Sequence, residues 1–230
     1  MSGAWRIERE RGPAGLLHQA SAERVGATRG SERLLRVLEP TVTALVLGSA
    51  QPESHVDRRR TSSRGVAVVR RRSGGGAVLV DPGGLVWVDL VLPEGDPLWR
   101  PDIGRAAWWV GECWAEALAA IGVGQPLVWR AGMRPSRWSD RACFAGLAAG
   151  EVLVSDRKMV GVAQRRTRSG ALFQTAALLH WDPGALVDLL ALSALEREQA
   201  TTELAGTAAG LGKGRGQDLL EALIEAVQSV

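Results

Sequence analysis

Apolar positions along this chain fall into short runs rather than one sustained period. "RLLRVLE" and "TVTALVLG" are rich in aliphatic residues and split by Pro40, which predicts two strands. "GVAVVRR" predicts a third. "AVLV" and "LVWVDLVLP" predict two more, separated by the turn "DPGG". "PLVWR" reads as a short strand, and "GEVLV", "RKMVGVAQRR" and "ALFQTAALL" as a meander with Ser155 and Asp156 at its first turn. "PAGLLHQASAERVGA", opened by Pro13, predicts a helix over 13–27. In "DIGRAAWWVGECWAEALAAIGV", Ile103, Ala107, Val110, Trp114, Ala117 and Ile121 recur at helical spacing, with Cys113 beside them. From Pro183, "GALVDLLALSALEREQATTEL" predicts a long helix, followed by a flexible "AGTAAGLGKGRG". "QDLLEALIEAVQ" then places Leu219, Leu220, Leu223, Ile224 and Val227 on one stripe. No internal repeat is visible. Strands and helices mix without strict βαβ alternation, so the expected fold class is α+β.

Composition narrows this picture. A length of 230 residues, 46% of them apolar, predicts one large domain or one domain with a small appendage. No run approaches ~18 apolar residues, so no membrane span is expected. The charged start "MSGAWRIERERG" has no apolar signal region. Two distant cysteines suggest no disulfide framework, and the expected location is the cytoplasm. A net charge of +3 hints at nucleic acid, but 25 acidic residues offset the basic ones nearly one for one. Lys158 and Lys213 are the only lysines, so the arginine excess reads as codon bias. With no basic amphipathic helix carrying aromatics, no nucleic-acid partner is expected.

Three places carry candidate chemistry. "RRRSGGGAVLV" runs three arginines into three glycines between two predicted strands. Bare N–H groups there can form an anion-binding concavity beside arginine forks, or the stretch is a glycine-rich hairpin with solvated arginines. It is neither a Walker loop nor a dinucleotide fingerprint. In "SDRKMVGVAQRR", Lys158 starts a strand and would share a face with Val160 and Val162, at a sheet rim next to small Gly161 and Ala163. It is either a ligand-reaching ammonium or an exposed turn lysine. Cys143 lies in a loop of small residues and reads as a nucleophile or as a small buried residue, whereas Cys113 reads as core.

"RRRSGGGAVLVDPG" and "DRKMVGVAQRR" together resemble the glycine and lysine boxes of lipoate–protein ligases, and "LVLGSAQ" is similar to that family's earlier segment. The resemblance covers roughly residues 14 to 190. It implies a mixed sheet flanked by helices, as in biotin and lipoate ligases and class II aminoacyl-tRNA synthetases. A catalytic domain would span 1–185, with a helical extension over 186–230. The implied activity uses ATP and Mg2+ to convert lipoate or octanoate into acyl-AMP, then transfers the acyl group to a lysine of a lipoyl domain. Implied acceptors are the E2 of 2-oxoacid dehydrogenases and the glycine cleavage H protein. Lys158 matches the lysine that lies against the acyl carboxyl and phosphate. Arg71, Arg72, Ser73, Gly74, Gly75, Gly76 and Ala77 match the glycine box that covers the acyl-adenylate, and Gly161 belongs to the lysine box. Matching the family's pattern, the arginines would meet the ligand's charge. No residue is assigned to a metal.

The chain departs from that pattern. Val80 stands where the glycine box has histidine, Ser49 where the earlier segment has arginine, and Glu151 where ligases have an Asn-Asp pair. The residues after Pro183 are too few for the large ligases' accessory domain, which implies either a separate accessory chain or weak adenylation. "ACFAGLAAGEVLVSDRK" also resembles cysteine-dependent octanoyl and lipoyl transferases, in which Cys143 would take the acyl group from octanoyl–acyl carrier protein. Against that, Gly76 keeps the ligase form, and Gln174, Thr175 and Ala176 replace the transferases' usual Gln-His-Gly. A non-catalytic relative that binds an acyl cofactor is a third reading.

Overall fold

The computed structural model describes residues 4–25 and 32–230. Among these, the strands are β1 (Trp5–Gly12), β2 (Arg33–Pro40), β3 (Ala44–Leu47), β4 (Ala67–Arg70), β5 (Val78–Val80), β6 (Leu85–Pro93), β7 (Leu127–Val128), β8 (Val152–Val154), β9 (Arg157–Thr167) and β10 (Gly170–Leu178). The α-helices are α1 (Ala14–Arg24), α2 (Arg58–Ser63), α3 (Trp108–Ala120), α4 (Pro183–Val187), α5 (Ala194–Ala205) and α6 (Gly216–Gln228). Seven strands form one sheet in the order β1-β2-β6-β10-β9-β8-β7, and β4-β3-β5 form a second, small sheet. Only the β1–β2 and β3–β4 pairs are parallel. The fold is α+β, a mixed sheet flanked by helices.

The central strand β6 is buried along its whole length, which explains why its sequence is nearly continuously apolar. Val86, Val88, Leu90 and Leu92 face α3 and α6, packing in one core with Val110, Trp114, Leu219 and Leu223. Trp87 faces the other way and packs with Leu17 of α1, Val46 of β3 and Val80 of β5. The small sheet and α1 therefore roof the second face of the large sheet. A gap remains between roof and sheet, and the candidate site lies there.

The strands expected from the sequence are present, and four other expectations are corrected. β1 was not foreseen, because "WRIERERG" alternates charge with half-buried positions as an edge strand does. The predicted helix over 102–123 begins only at Trp108, and Ile103 is exposed. The predicted long helix after Pro183 is two helices. Ser193 and Glu196 form a capping box that starts α5 afresh. The "flexible" segment is pinned: Thr207 O accepts from Lys158 N, Ala209 N donates to Lys158 O, and Leu211 N donates to Leu178 O. The helix predicted over 13–27 is α1, but Gly26 and Ala27 lie outside the described residues.

Candidate active site

A cavity of about 490 Å³, mouth included, lies between the large sheet and its roof. Gly161 and Ala163 of β9 and Ala176 of β10 form its floor, and Val46, Val78, Val80, Leu85 and Trp87 its apolar walls. Small floor residues leave the space, and the walls are bulky. That suits an aliphatic chain.

The glycine loop lies beside this cavity, with Gly75 against Arg71 and Cys143 of its lining, and its bare backbone meets protein. A Cβ on Gly76 would come within 2.6 Å of the Ala142 backbone, and one on Gly48 within 1.8 Å of Gly75 O. Gly75 has φ of 101°, which favours glycine. Arg71 is buried beneath the loop. Its Nη2 donates to Gly74 O (2.6 Å) and Gly76 O (3.0 Å), and its Nη1 to Val46 O (3.3 Å). Arg71 thus holds the loop in shape and also lines the cavity. Arg72 is exposed and, with Ser49, Arg70 and Arg165, edges an open cleft on the far side of Arg71.

Lys158 is not the rim residue expected. It is 1% exposed, and its Nζ lies 2.6 Å from Glu151 Oε1. The same ammonium donates to Cys143 O (2.8 Å) and Gly146 O (3.2 Å) and sits 4.8 Å from the centre of the Phe144 ring. It also does not share the face of Val160 and Val162. Val152 pairs with Val160 but Leu153 with Lys158, so Met159 is an extra residue that reverses the facing. Lys158 therefore turns to the cavity side, where its Cε lies 3.5 Å from the Cβ position of Gly161. Burial pushes the Glu151 carboxyl above its usual range, and Lys158 opposes that shift. Glu151 also accepts from Ala148 N. Cys143 lies in the short turn that supplies these carbonyls and lines the cavity, its Sγ 3.6 Å from the Gly75 Cβ position. Cys113 sits in the helical core, where burial pushes its thiol up to about 12.

The far wall is polar. Ser73 Oγ donates to Gln174 Oε1 (2.7 Å), and Gln174 Nε2 lies 2.9 Å from His18 Nδ1 and 3.3 Å from Asp89 Oδ2. Trp87 Nε1 donates to Asp89 Oδ1 (2.8 Å) and its ring packs on His18, with centroids 4.4 Å apart. Burial, then the Arg71 charge, pulls the His18 pKa down from 6.5 to about 3. Burial raises Asp89 to about 6 against the hydrogen bonds and Arg36 that favour its charge.

Residues 16–215 match the model of the lipoyl protein ligase A/B catalytic domain. The chain belongs to this family. The bipartite lipoate protein ligase of Thermoplasma acidophilum, described with its E2 lipoyl domain, superposes with a TM-score of 0.78 at 19% identity, covering 100% of this chain and 83% of that one. A second Thermoplasma acidophilum structure, of a protein with bound lipoic acid, gives 0.72 at 18% identity over 100% and 85%. A lipoate-protein ligase A bound with ATP gives 0.66 at 20% identity over 100% and 85%. No curated protein matches the sequence.

In this family member, the fold brings Arg71, Cys143 and Gly161 onto one cavity, with Lys158 just behind the Cys143–Gly146 turn. Ser73 ties the glycine loop to the far wall, and Gly74 stands open to solvent. Ala77 lines a second cavity of about 590 Å³, which shares Val78 and Phe144 with the first and is edged by Asp81, His180, Trp181 and Asp182. Val80, in place of the box histidine, is a wall of the first cavity, and Ser49 is exposed. Thr175 also lines this cavity, and its hydroxyl donates to Val88 O. Sequence reading missed His18, Trp87 and Phe144. The signal for His18 was its place on the buried stripe of α1 with Ala14, Leu17 and Ser21.

Proposed function

We propose that this ligase-family protein attaches an eight-carbon acyl group, lipoyl or octanoyl, to a lysine of a lipoyl domain, with ATP activating the acid as acyl-AMP. The observation that carries this is the pair of adjoining cavities: one almost wholly apolar, the other edged by polar groups, with Lys158 near Phe144 at their shared wall. A two-part intermediate, aliphatic at one end and nucleotide at the other, fits that division. The family model and the lipoate- and ATP-bound neighbours support it.

In this reading the apolar cavity takes the chain and the carboxyl lies toward Lys158. A carboxylate is a poor electrophile until it becomes a mixed anhydride. The ammonium of Lys158 then stabilises negative charge on the reacting carbonyl or phosphoryl oxygen. To do so, Lys158 exchanges one of its carbonyl partners for the ligand, while Glu151 holds it in place. Asp81 and Asp182 are the carboxylates beside the second cavity. A magnesium ion carried in on the phosphates needs only one or two carboxylates from the protein. Among the described residues, no group of three His, Cys, Asp or Glu side chains could hold a metal by itself. The bipartite Thermoplasma ligase supports a separate accessory chain as a partner, and its E2 lipoyl domain supports lipoyl domains as acceptors.

One observation favours a second reading. Cys143 lines the apolar cavity. In a transferase its thiolate would attack the acyl carbonyl of octanoyl–acyl carrier protein, releasing the carrier thiol, and the acceptor lysine would then displace Cys143. The deciding experiment is to incubate the protein and a lipoyl domain with ATP and lipoate, or with octanoyl–acyl carrier protein, and weigh the acceptor. ATP-dependent gain of a lipoyl mass that survives Cys143→Ser supports the ligase. An octanoyl thioester on Cys143, with all transfer lost in the variant, supports the transferase. An acceptor mass that never changes leaves the non-catalytic reading standing.

A further inference from the structure

The apolar cavity contains one feature that an all-carbon chain would not need. Ser73 Oγ–H fixes the Gln174 amide by donating to its oxygen, which leaves Gln174 Nε2 facing His18 Nδ1 and Asp89 Oδ2. Asp89 is ionised above about pH 6 and can then only accept, so the nitrogen side of the amide must face it. Gln174 therefore donates to His18 Nδ1. That places the imidazole proton on Nε2. His18 Nε2 has no hydrogen-bond partner among the described residues, yet it is not among the buried polar atoms left without one. His18 lines the cavity, so this N–H opens into it. With its pKa near 3, the ring stays neutral at any ordinary pH.

The position of this donor along the cavity follows from strand register. The side chain of Lys158 reaches forward along β9, its Cε 3.5 Å from the Cβ position of Gly161, and Gln174 pairs with Ala163, two residues beyond Gly161. At about 3.3 Å per residue that is roughly 7 Å, a span that an eight-carbon chain bridges. A chain whose carboxyl lies toward Lys158 brings its distal part to His18.

Resting on the reading of this cavity as the acyl site, we propose that His18 determines acyl specificity. Its Nε2–H donates to an acceptor atom on the distal part of the chain, so the site prefers an eight-carbon acid bearing sulfur or oxygen there over plain octanoate. An alkyl tail would cover the N–H and leave it without water or partner, a penalty that corresponds to roughly tenfold or more in affinity. A dithiolane sulfur is a weak acceptor and recovers part of that, and a terminal hydroxyl recovers more.

The test is calorimetric binding of octanoate, lipoate and 8-hydroxyoctanoate to the whole protein and to His18→Phe, which keeps a ring against Trp87 and removes the donor. The expected order for the unaltered protein is 8-hydroxyoctanoate tightest and octanoate weakest, about tenfold apart, with the difference shrinking to within about twofold in the variant. Because the variant also removes Gln174's acceptor, a measurement on the unaltered protein stands beside it. The imidazole Nε2–H resonance of His18 should shift with 8-hydroxyoctanoate and not with octanoate. Equal affinities in the unaltered protein, or a preference that persists in His18→Phe, overturns the role of His18 and leaves the acyl site intact. Failure of all three acids to bind overturns the acyl reading and this inference with it.

Discussion

Lys158 shows how far a residue's role depends on what it touches. Its type and box pointed to charge stabilisation, and the fold adds a buried partner that a rim lysine would lack. Lys158→Ala should lower acyl transfer by about 10²-fold, the scale for losing one transition-state donor. It should also lower the melting temperature, because Glu151 is left buried and unpaired, an imbalance of about 3–5 kcal/mol. Lys158→Met with Glu151→Gln should recover most of the stability and none of the activity. If the single variant melts like the parent, the ion pair contributes nothing to folding. The glycines separate in the same way. Gly74→Ala meets nothing within 4 Å and should be silent in melting, whereas Gly76→Ala drives a methyl into the Ala142 backbone and should be strongly destabilising. Equal melting temperatures for the two variants would contradict that packing.

At the scale of elements, the pattern of "AVLV", "LVWVDLVLP" and the meander was legible because branched aliphatic runs bounded by turn residues leave few alternatives. What escaped was set by contacts distant in sequence. β1 is held by its pairing to β2 and by the Arg36 pairs with Glu8 and Glu10, and its own residues carry too much charge to announce a strand. The break between α4 and α5 was readable in principle, since Ser193 followed by Glu196 is a helix-start signature. Ser193→Ala should cost about 1 kcal/mol and be visible as a lowered denaturant midpoint. An unchanged midpoint would mean that packing of Ala200 and Leu204 alone fixes the start of α5. Of the site, the boxes carried the glycine loop and Lys158, but the polar wall was invisible. It joins α1, the glycine loop, β6 and β10, which no local pattern connects.

For the molecule as a whole, that wall sets how stability responds to acid. His18 is hard to protonate when folded, so between pH 6.5 and about 3 the unfolded chain binds the extra proton, and its contribution to stability falls as the pH falls. Asp89 does the reverse. Its carboxyl holds a proton in the fold up to about pH 6 that the unfolded chain releases near 3.8, so across that window its contribution rises as the pH falls. Between about pH 4 and 6 the two oppose each other. Asp89→Asn removes one side, and the urea midpoint of the variant should fall more steeply from pH 6 to 4 than that of the parent. Parallel curves would show that Asp89 and His18 do not titrate as their burial dictates.

The sequestered ammonium has a meaning for the protein's own chemistry. Under the proposed function the protein would make an activated acyl group, a reagent that modifies amines, and each reachable lysine on its surface would be a target. This chain has two lysines. One is ion-paired and closed off from solvent, and the other, Lys213, is exposed. An arginine-rich surface therefore offers almost nothing to self-labelling. Amine-reactive reagents at low dose should mark Lys213 while sparing Lys158.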